Sequence, residues 1–254
     1  MTNDEIAEIK RAYDRDGFVI LRGFMQGQEF DELHERAARL SNQLFERQRN
    51  GENIHPDGRE HSYKMPKGRK AGPGDVLKNL QYHDPWFERQ LHAGRHVPLV
   101  KALVEDELVP ATAAWFDKHV GSTYEIAPHR DAIGRPQGPH AGATIWIALD
   151  GADPDNGCLH YGRGSHRLEF APGIFVEGFD VDSDSVPATV QPGDAVIHNA
   201  LTVHWSHGNP TDRPRRAVSF FYRGVSNEKI YEQYRRDVGS RTGKTTGRGE
   251  NEWQ

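Results

Sequence analysis

An all-β core with helices packed on one face, a double-sheet jelly roll, is the fold class this sequence predicts, and three observations predict it. Beyond Pro110 the chain becomes a series of short runs rich in β-branched and aromatic residues. Turn signals such as Pro154-Asp155-Asn156-Gly157 and Gln191-Pro192-Gly193-Asp194 separate several of them. Amphipathic stripes with helical spacing crowd the part before Pro110, which places helices against one sheet of the sandwich. With 254 residues the chain fits a single domain large enough for a sizeable core. The expected division is a helical N-terminal part over about residues 1–108, a jelly-roll core over about 109–225 and a polar tail over about 240–254.

The elements follow in order. Thr2 with Glu5 three positions on forms a capping box, Ile6, Ile9 and Tyr13 share a face, and Gly17 stops this first helix. Phe18 to Leu21 reads as a buried strand. Phe30, Leu33, Ala37, Leu40 and Leu44 then form the stripe of a longer helix, which Gly51 ends. Residues 51–75 have little periodicity, and so long a loop in a compact domain is a candidate lid over a site. Asp84 to His92 is a helix with Asp84 as N-cap and Pro85 in its first turn, and Val97 to Glu107 is another. The predicted strands are Ala111–Phe116, Thr144–Leu149, Cys158–Tyr161, Ala188–Val190, Ala195–His198 and Ala217–Tyr222.

Charge and cysteine content narrow the function classes. A net charge of -5 supplies no general basic field, so nucleic acid is not an expected partner. The single cysteine, Cys158, excludes an intramolecular disulfide and fits a reducing compartment. The opening Met1-Thr2-Asn3-Asp4-Glu5 is acidic and no apolar run follows it, so no secretory signal, membrane span or membrane partner is expected, and a cytoplasmic location is the default. The run from His61 to Lys70 holds four basic residues and no acidic one, which could attract an anionic group on a small-molecule substrate, or could simply be solvated.

The chemistry centres on His129 and Asp131. In an extended strand they project from one face and set two metal ligands side by side. The triplet is weak alone, because the chain has 14 histidines. A second histidine from a distant strand would complete two imidazoles and one carboxylate with open positions opposite, which suits non-haem Fe(II) and oxygen. His198, His204 and His207 all compete for that place. An Fe(II) oxidant needs electrons, which a metal-chelating 2-oxoacid can supply. Its far carboxylate then needs a cation, and arginine binds carboxylate with a planar fork that keeps its charge.

Ordered motifs extend this pattern: His129-Arg130-Asp131, Trp146-Ile147-Ala148-Leu149-Asp150, Asn156-Gly157-Cys158-Leu159, Gly164-Ser165-His166, Pro192-Gly193-Asp194 and His204 through Arg216, with a weaker echo in Asp16-Gly17-Phe18-Val19-Ile20. Together they resemble the phytanoyl-CoA dioxygenase family of Fe(II)- and 2-oxoglutarate-dependent oxygenases. The resemblance implies a double-stranded β-helix of the jelly-roll, cupin-like type. It also implies that Fe(II) is held by His129, Asp131 and His204, and that the C5 carboxylate of 2-oxoglutarate is held by Arg215 with Ser206 assisting. Trp146 and Lys78 match family positions near the 2-oxoglutarate pocket, although a buried aromatic is commonly core and a strand lysine commonly exposed. Arg216 should point to the other face of its strand. Arg130, where the family often has glutamine, should face away from the metal. Relatives that halogenate replace the carboxylate with a small residue, so Asp131 favours hydroxylation.

The activity implied is a 2-oxoglutarate-dependent dioxygenase that hydroxylates a C–H bond of a small metabolite, with O2 as cosubstrate and succinate and CO2 as products. Two other readings suit parts of the pattern: a zinc hydrolase, since the same ligand set binds Zn²⁺, and a non-catalytic jelly-roll binding protein. The primary substrate and the oligomeric state are not legible in these residues.

Overall fold

The computed structural model describes residues 1–52, 54, 76–132, 141–169, 176, 179–183, 185–228 and 232–233. The proposed lid is almost wholly outside the described residues, as are the basic run from His61 to Lys70 and the polar tail.

The helices are α1 (Asn3–Asp16), α2 (Gly27–Arg49), α3 (Pro85–Ala93) and α4 (Val97–Val104). The strands are β1 (Phe18–Leu21), β2 (Val76–Lys78), β3 (Leu108–Lys118), β4 (Ile126–His129), β5 (Ala143–Ala148), β6 (His160–Gly162), β7 (Ser185–Pro187), β8 (Ala195–Asn199), β9 (His204–Ser206) and β10 (Arg215–Gly224). They form a major sheet ordered β1-β8-β5-β10-β3-β2 and a minor sheet ordered β4-β9-β6-β7. Every strand pairing in both sheets, among the described residues, is antiparallel. Two such sheets with helices against one of them make the predicted jelly roll.

Local chemistry sets the helix ends. Thr2 and Glu5 complete the capping box on α1, and Gly17 ends it at φ 83°, a conformation that favours glycine. A Cβ at Gly17 would also lie 2.5 Å from His166 Nδ1 and from Thr202 Oγ1. Asp84 caps α3 by accepting from the Trp86 amide, as expected from its place before Pro85. The fourth helix is shorter than predicted: Glu105 adopts φ 57° after Val104, and the chain enters β3 at Leu108. Strand β3 therefore begins before Pro110. The proline is tolerated because the β3–β10 register shifts beside it, between Phe221 and Tyr222, while β2 pairs only with Ala114 to Phe116.

Two other boundaries moved. The strand placed at Cys158–Tyr161 runs from His160 to Gly162, since Gly157 at φ 79° and Cys158 complete the preceding turn. The strand placed at Ala188–Val190 is instead Ser185–Pro187, and Val190 makes only an isolated bridge to Ala152.

The major sheet separates two cores. On its outer face Ile145, Ile147, Ile197, Val218, Phe220 and Tyr222 pack with Tyr13, Leu33, Phe87 and Leu103 of the helices. On its inner face Phe18, Trp146, Val196 and Ala217 pack against Tyr161 of the minor sheet. The cross-strand register lines up inner rows. Thr112, Phe221, Thr144, His198 and Phe18 form one, and Lys78, Ala114, Ser219, Trp146, Val196 and Ile20 form the next. Arg215 stands opposite Lys118 at one end of β10. Polar side chains thus enter the space between the sheets at both ends of an apolar patch.

Candidate active site

His129 and His204 are direct partners across β4 and β9, with ring centroids 4.1 Å apart. Each ring is oriented by its own strand. His129 Nδ1 donates to the Ala127 carbonyl at 2.9 Å, and His204 Nδ1 donates to the Thr202 carbonyl at 3.0 Å. Since a carbonyl can only accept, both Nδ1 atoms carry the proton and both Nε2 lone pairs remain for a metal. The two Nε2 atoms lie 3.9 and 3.7 Å from Asp131 Oδ1. The three ligand atoms all fall within 4.8 Å of one another, the spacing of a metal site.

Asp131 reaches this cluster by a route the sequence reading did not foresee. Strand β4 ends at His129, and Asp131 sits in the bend that follows. The β4–β9 register is irregular, and the backbone turns so that the Ala132 amide bonds the Ala200 carbonyl at 2.9 Å. The same-face argument thus gave the right neighbours, but the bend and not the strand pleat brings the carboxylate to the imidazoles.

At the other end Arg215 is 1% exposed. Its Nε donates to the Gly157 carbonyl at 3.1 Å, and its guanidinium carbon lies 5.4 Å from the centroid of the Trp146 ring. Arg215 Nη2 and Ser206 Oγ are both buried without a hydrogen-bond partner among the described residues. A buried cation with no carboxylate on its fork among the described residues is costly unless an anion fills the place. Trp146 is both core and platform, because it also packs with Phe18 and Tyr161. Arg216 turns to the opposite face and holds Asp150 through two nitrogens at 2.7 and 2.8 Å, as its strand position predicts.

Lys78 lies in the same inner row as Trp146, and part of its surface remains exposed. Burial of its amino end pushes the ammonium down to about 7 against the pull of the Asp131 carboxylate, which sets it near the metal ligands. Arg130, the residue between His129 and Asp131 in sequence, is buried.

The rival histidines part company. His207 is exposed, its ring edge-on to that of His160 with centroids 5.3 Å apart. His198 is buried on the major sheet, and its Nε2 lies 3.0 Å from Asp131 Oδ2. Thr144, its register partner, donates to the same oxygen at 2.5 Å. Tyr161 hydroxyl lies 2.9 Å from His198 Nδ1. Thr144 and Tyr161 are contributors that sequence reasoning missed. Their only signal was the pairing of strands, since Thr144 opposes His198 and Tyr161 opposes His204.

Electrostatics fit a cation held at this place. Burial drives the protonated forms of His129 and His204 down, His204 the further of the two. Burial pushes the Asp131 carboxyl up, but His204, the His198 hydrogen bond and His129 together hold it well below the ordinary carboxylate range. Two neutral imidazoles and an ionised carboxylate are what a divalent ion requires. Burial also lowers Arg215 to about 10, which still leaves it charged at neutral pH.

Comparison with known proteins gives a consistent setting. The family model described as phytanoyl-CoA dioxygenase matches residues 13–217. Phytanoyl-CoA dioxygenase domain-containing protein 1 of Danio rerio is 31% identical over 162 residues, 56% of this chain and 54% of the relative. The Rattus norvegicus protein of the same name is 24% identical over 255 residues, 83% of this chain and 87% of the relative. The match thus spans about half the length of the first relative and most of the second. Among solved structures, the non-heme alpha ketoglutarate dependent epimerase SnoN from nogalamycin biosynthesis has a TM-score of 0.69 at 24% identity. That likeness covers 88% of this chain and 82% of SnoN, and it establishes the shared fold.

Proposed function

The chain belongs to the phytanoyl-CoA dioxygenase family, and from that premise we propose that it is an Fe(II)- and 2-oxoglutarate-dependent dioxygenase that hydroxylates a C–H bond of a small metabolite. One observation carries the reading: a two-histidine, one-carboxylate cluster shares the inter-sheet space with a buried arginine whose Nη2 has no hydrogen-bond partner among the described residues. A zinc hydrolase would use the first feature and leave the second without a role.

His129 and His204 would hold the metal through Nε2, and Asp131 would hold it through a carboxylate oxygen. With Fe(II) and 2-oxoglutarate bound, the centre draws oxidising power from O2 as the 2-oxoacid leaves as succinate and CO2. The remaining work falls to side chains. Arg215 Nη2 and Ser206 Oγ would bind the C5 carboxylate, and the Trp146 ring beneath the guanidinium keeps that end dry. Lys78, whose ammonium is lowered by burial to about 7, would add positive charge near the metal end only in its protonated form, and in that form could meet an anionic group there. Asp131 occupies the place that a halide would need, which favours hydroxylation over halogenation. His129, His204 and Arg215 are buried, so charges at the site act at lower local dielectric than in water.

The test is succinate release from purified protein under candidate small metabolites, with Fe(II) and 2-oxoglutarate added or withheld. We expect release only when both are present, and a weak visible charge-transfer band when both are added without oxygen. Neither succinate nor band in folded, metal-loaded protein would overturn the assignment, and turnover supported by Zn²⁺ alone would install the hydrolase in its place.

A further inference from the structure

The two oxygens of Asp131 are treated unequally. Oδ2 accepts from Thr144 Oγ1 at 2.5 Å and from His198 Nε2 at 3.0 Å. Oδ1 faces the Nε2 atoms of His129 and His204, 3.9 and 3.7 Å away. A carboxylate oxygen accepts two hydrogen bonds comfortably, so Oδ2 is already engaged before any metal arrives.

His198 is in turn held from behind. Its Nε2 donates to Asp131, and its Nδ1 is engaged by the Tyr161 hydroxyl at 2.9 Å. Tyr161 is fully buried, and its ring stacks on Phe18 with centroids 4.5 Å apart, which fixes the hydroxyl. Thr144 and His198 are cross-strand partners on β5 and β8, so both donors rise from one row of the major sheet. The ligands, by contrast, come from the minor sheet and the bend beside it. One sheet supplies the imidazoles and the other sets the carboxylate.

We propose that Thr144 and His198, with Tyr161 orienting His198, are positioning residues that commit Asp131 to ligate through Oδ1 alone. The inference rests on the metal site proposed above. An octahedral ion held by two imidazoles and one carboxylate oxygen keeps a whole face open, and a chelating 2-oxoacid together with O2 needs that whole face. A second oxygen from a freely turning carboxylate would intrude on it. Hydrogen bonds to the ligand's far oxygen are the means by which a protein prevents that.

The experiment titrates the full-length, metal-stripped protein with Co(II) alone. It follows affinity and, in protein labelled with ¹³C-aspartate, the splitting of the carboxylate infrared stretches that separates one-oxygen from two-oxygen ligation. Thr144→Val is nearly isosteric and removes one donor, and His198→Leu removes the other. We expect each to weaken Co(II) binding by about 10–100-fold and to narrow the splitting, Tyr161→Phe to do so more weakly, and Thr144→Ser to restore both readouts. Thr144→Val and Tyr161→Phe with affinity within about twofold of the parent and an unchanged splitting would overturn the proposal. Loss of the metal from His198→Leu as complete as from His204→Ala would overturn it too, by making His198 a ligand. A parent protein that takes up no Co(II) would refute the metal site itself, an outcome distinct from parent binding with indifferent variants.

Discussion

The two faces of the major sheet are built from alternate residues of the same strands and obey opposite rules. On the outer face β10 presents Val218, Phe220 and Tyr222 to the helices. The polar groups that reach this core are uncharged: Tyr222 hydroxyl meets His96 Nε2 at 2.7 Å, the His96 ring stacks on Phe220 at 4.6 Å, and His96 Nδ1, Tyr13 hydroxyl and Trp115 Nε1 are buried without a partner among the described residues. On the inner face the same strand contributes Arg215, and Nη2 of that side chain, like Ser206 Oγ across the gap, is buried without a partner among the described residues. Neutral polar atoms left over in a dense apolar layer cost comparatively little and suit a surface shaped for stability. A buried guanidinium with an unanswered nitrogen costs far more and marks a surface shaped for something that binds.

Breaking each face in turn should separate the two rules. The largest effect is expected from Asp131→Ala, which removes a metal ligand. Succinate release should fall by more than about 100-fold, beyond what changes around a ligand usually cause, while the thermal midpoint of the metal-free protein changes little. On the outer face Phe220→Ala should do the reverse, costing about 3–5 kcal/mol in urea unfolding without altering the affinity for 2-oxoglutarate in the fraction that remains folded. Equal behaviour of these two variants in both assays would erase the distinction.

Arg215→Ala sharpens the comparison because its two readouts should move independently. Loss of a charge-assisted contact of about 1.5–3 kcal/mol should raise KM for 2-oxoglutarate by about 10–100-fold. The metal-free protein should keep its stability or gain some, since a buried cation without an anion is removed. Arg216→Ala, one residue along, should leave that KM alone and cost about 1 kcal/mol or less, the value of a partly exposed pair with Asp150. An exchange of these phenotypes would show that the register of β10 is wrong.

An effect seen only on acidification is a dependence of stability on pH from the outer face. Burial pushes His96 down to about 3 from an ordinary value of 6.5. The unfolded chain therefore takes up a proton below pH 6.5 that the folded protein refuses. The stability is fully present above that pH and declines as pH falls from 6.5 toward 3. At pH 5 the loss should be on the order of 2 kcal/mol. In His96→Gln the thermal midpoint should fall less between pH 7 and pH 5, and an unchanged slope would remove His96 from the account.

Much of this was legible in the sequence, for identifiable reasons. Capping residues are local, so α1 and α3 could be placed from Thr2, Glu5, Asp84 and Pro85. The alternation of β10 separated Arg215 from Arg216, because strand period is itself local. What escaped were matters decided by pairing. Asp131 depends on a bend set by the Ala132–Ala200 hydrogen bond, and Thr144 meets Asp131 only because β5 lies beside β8. The role of His198 escaped for the same reason: its distance from His204 along the chain does not say which sheet it joins. Short strands such as Ser185–Pro187 have too few residues to display a period at all.

Gly157 draws a final consequence from the crowded turn beside β10. Its carbonyl holds Arg215 Nε, and a Cβ there would come within 2.7 Å of the Gly208 and His207 carbonyl oxygens. The absence of a side chain lets the Gly157 turn and the His207–Gly208 backbone meet, where the Gly157 carbonyl grips the guanidinium by its neck. The side chain has thus given up most of its rotational freedom during folding, before any anion is near. An arriving carboxylate meets a fork already turned toward it, and the entropy that ordering a long cation would otherwise subtract from binding has no part in the encounter.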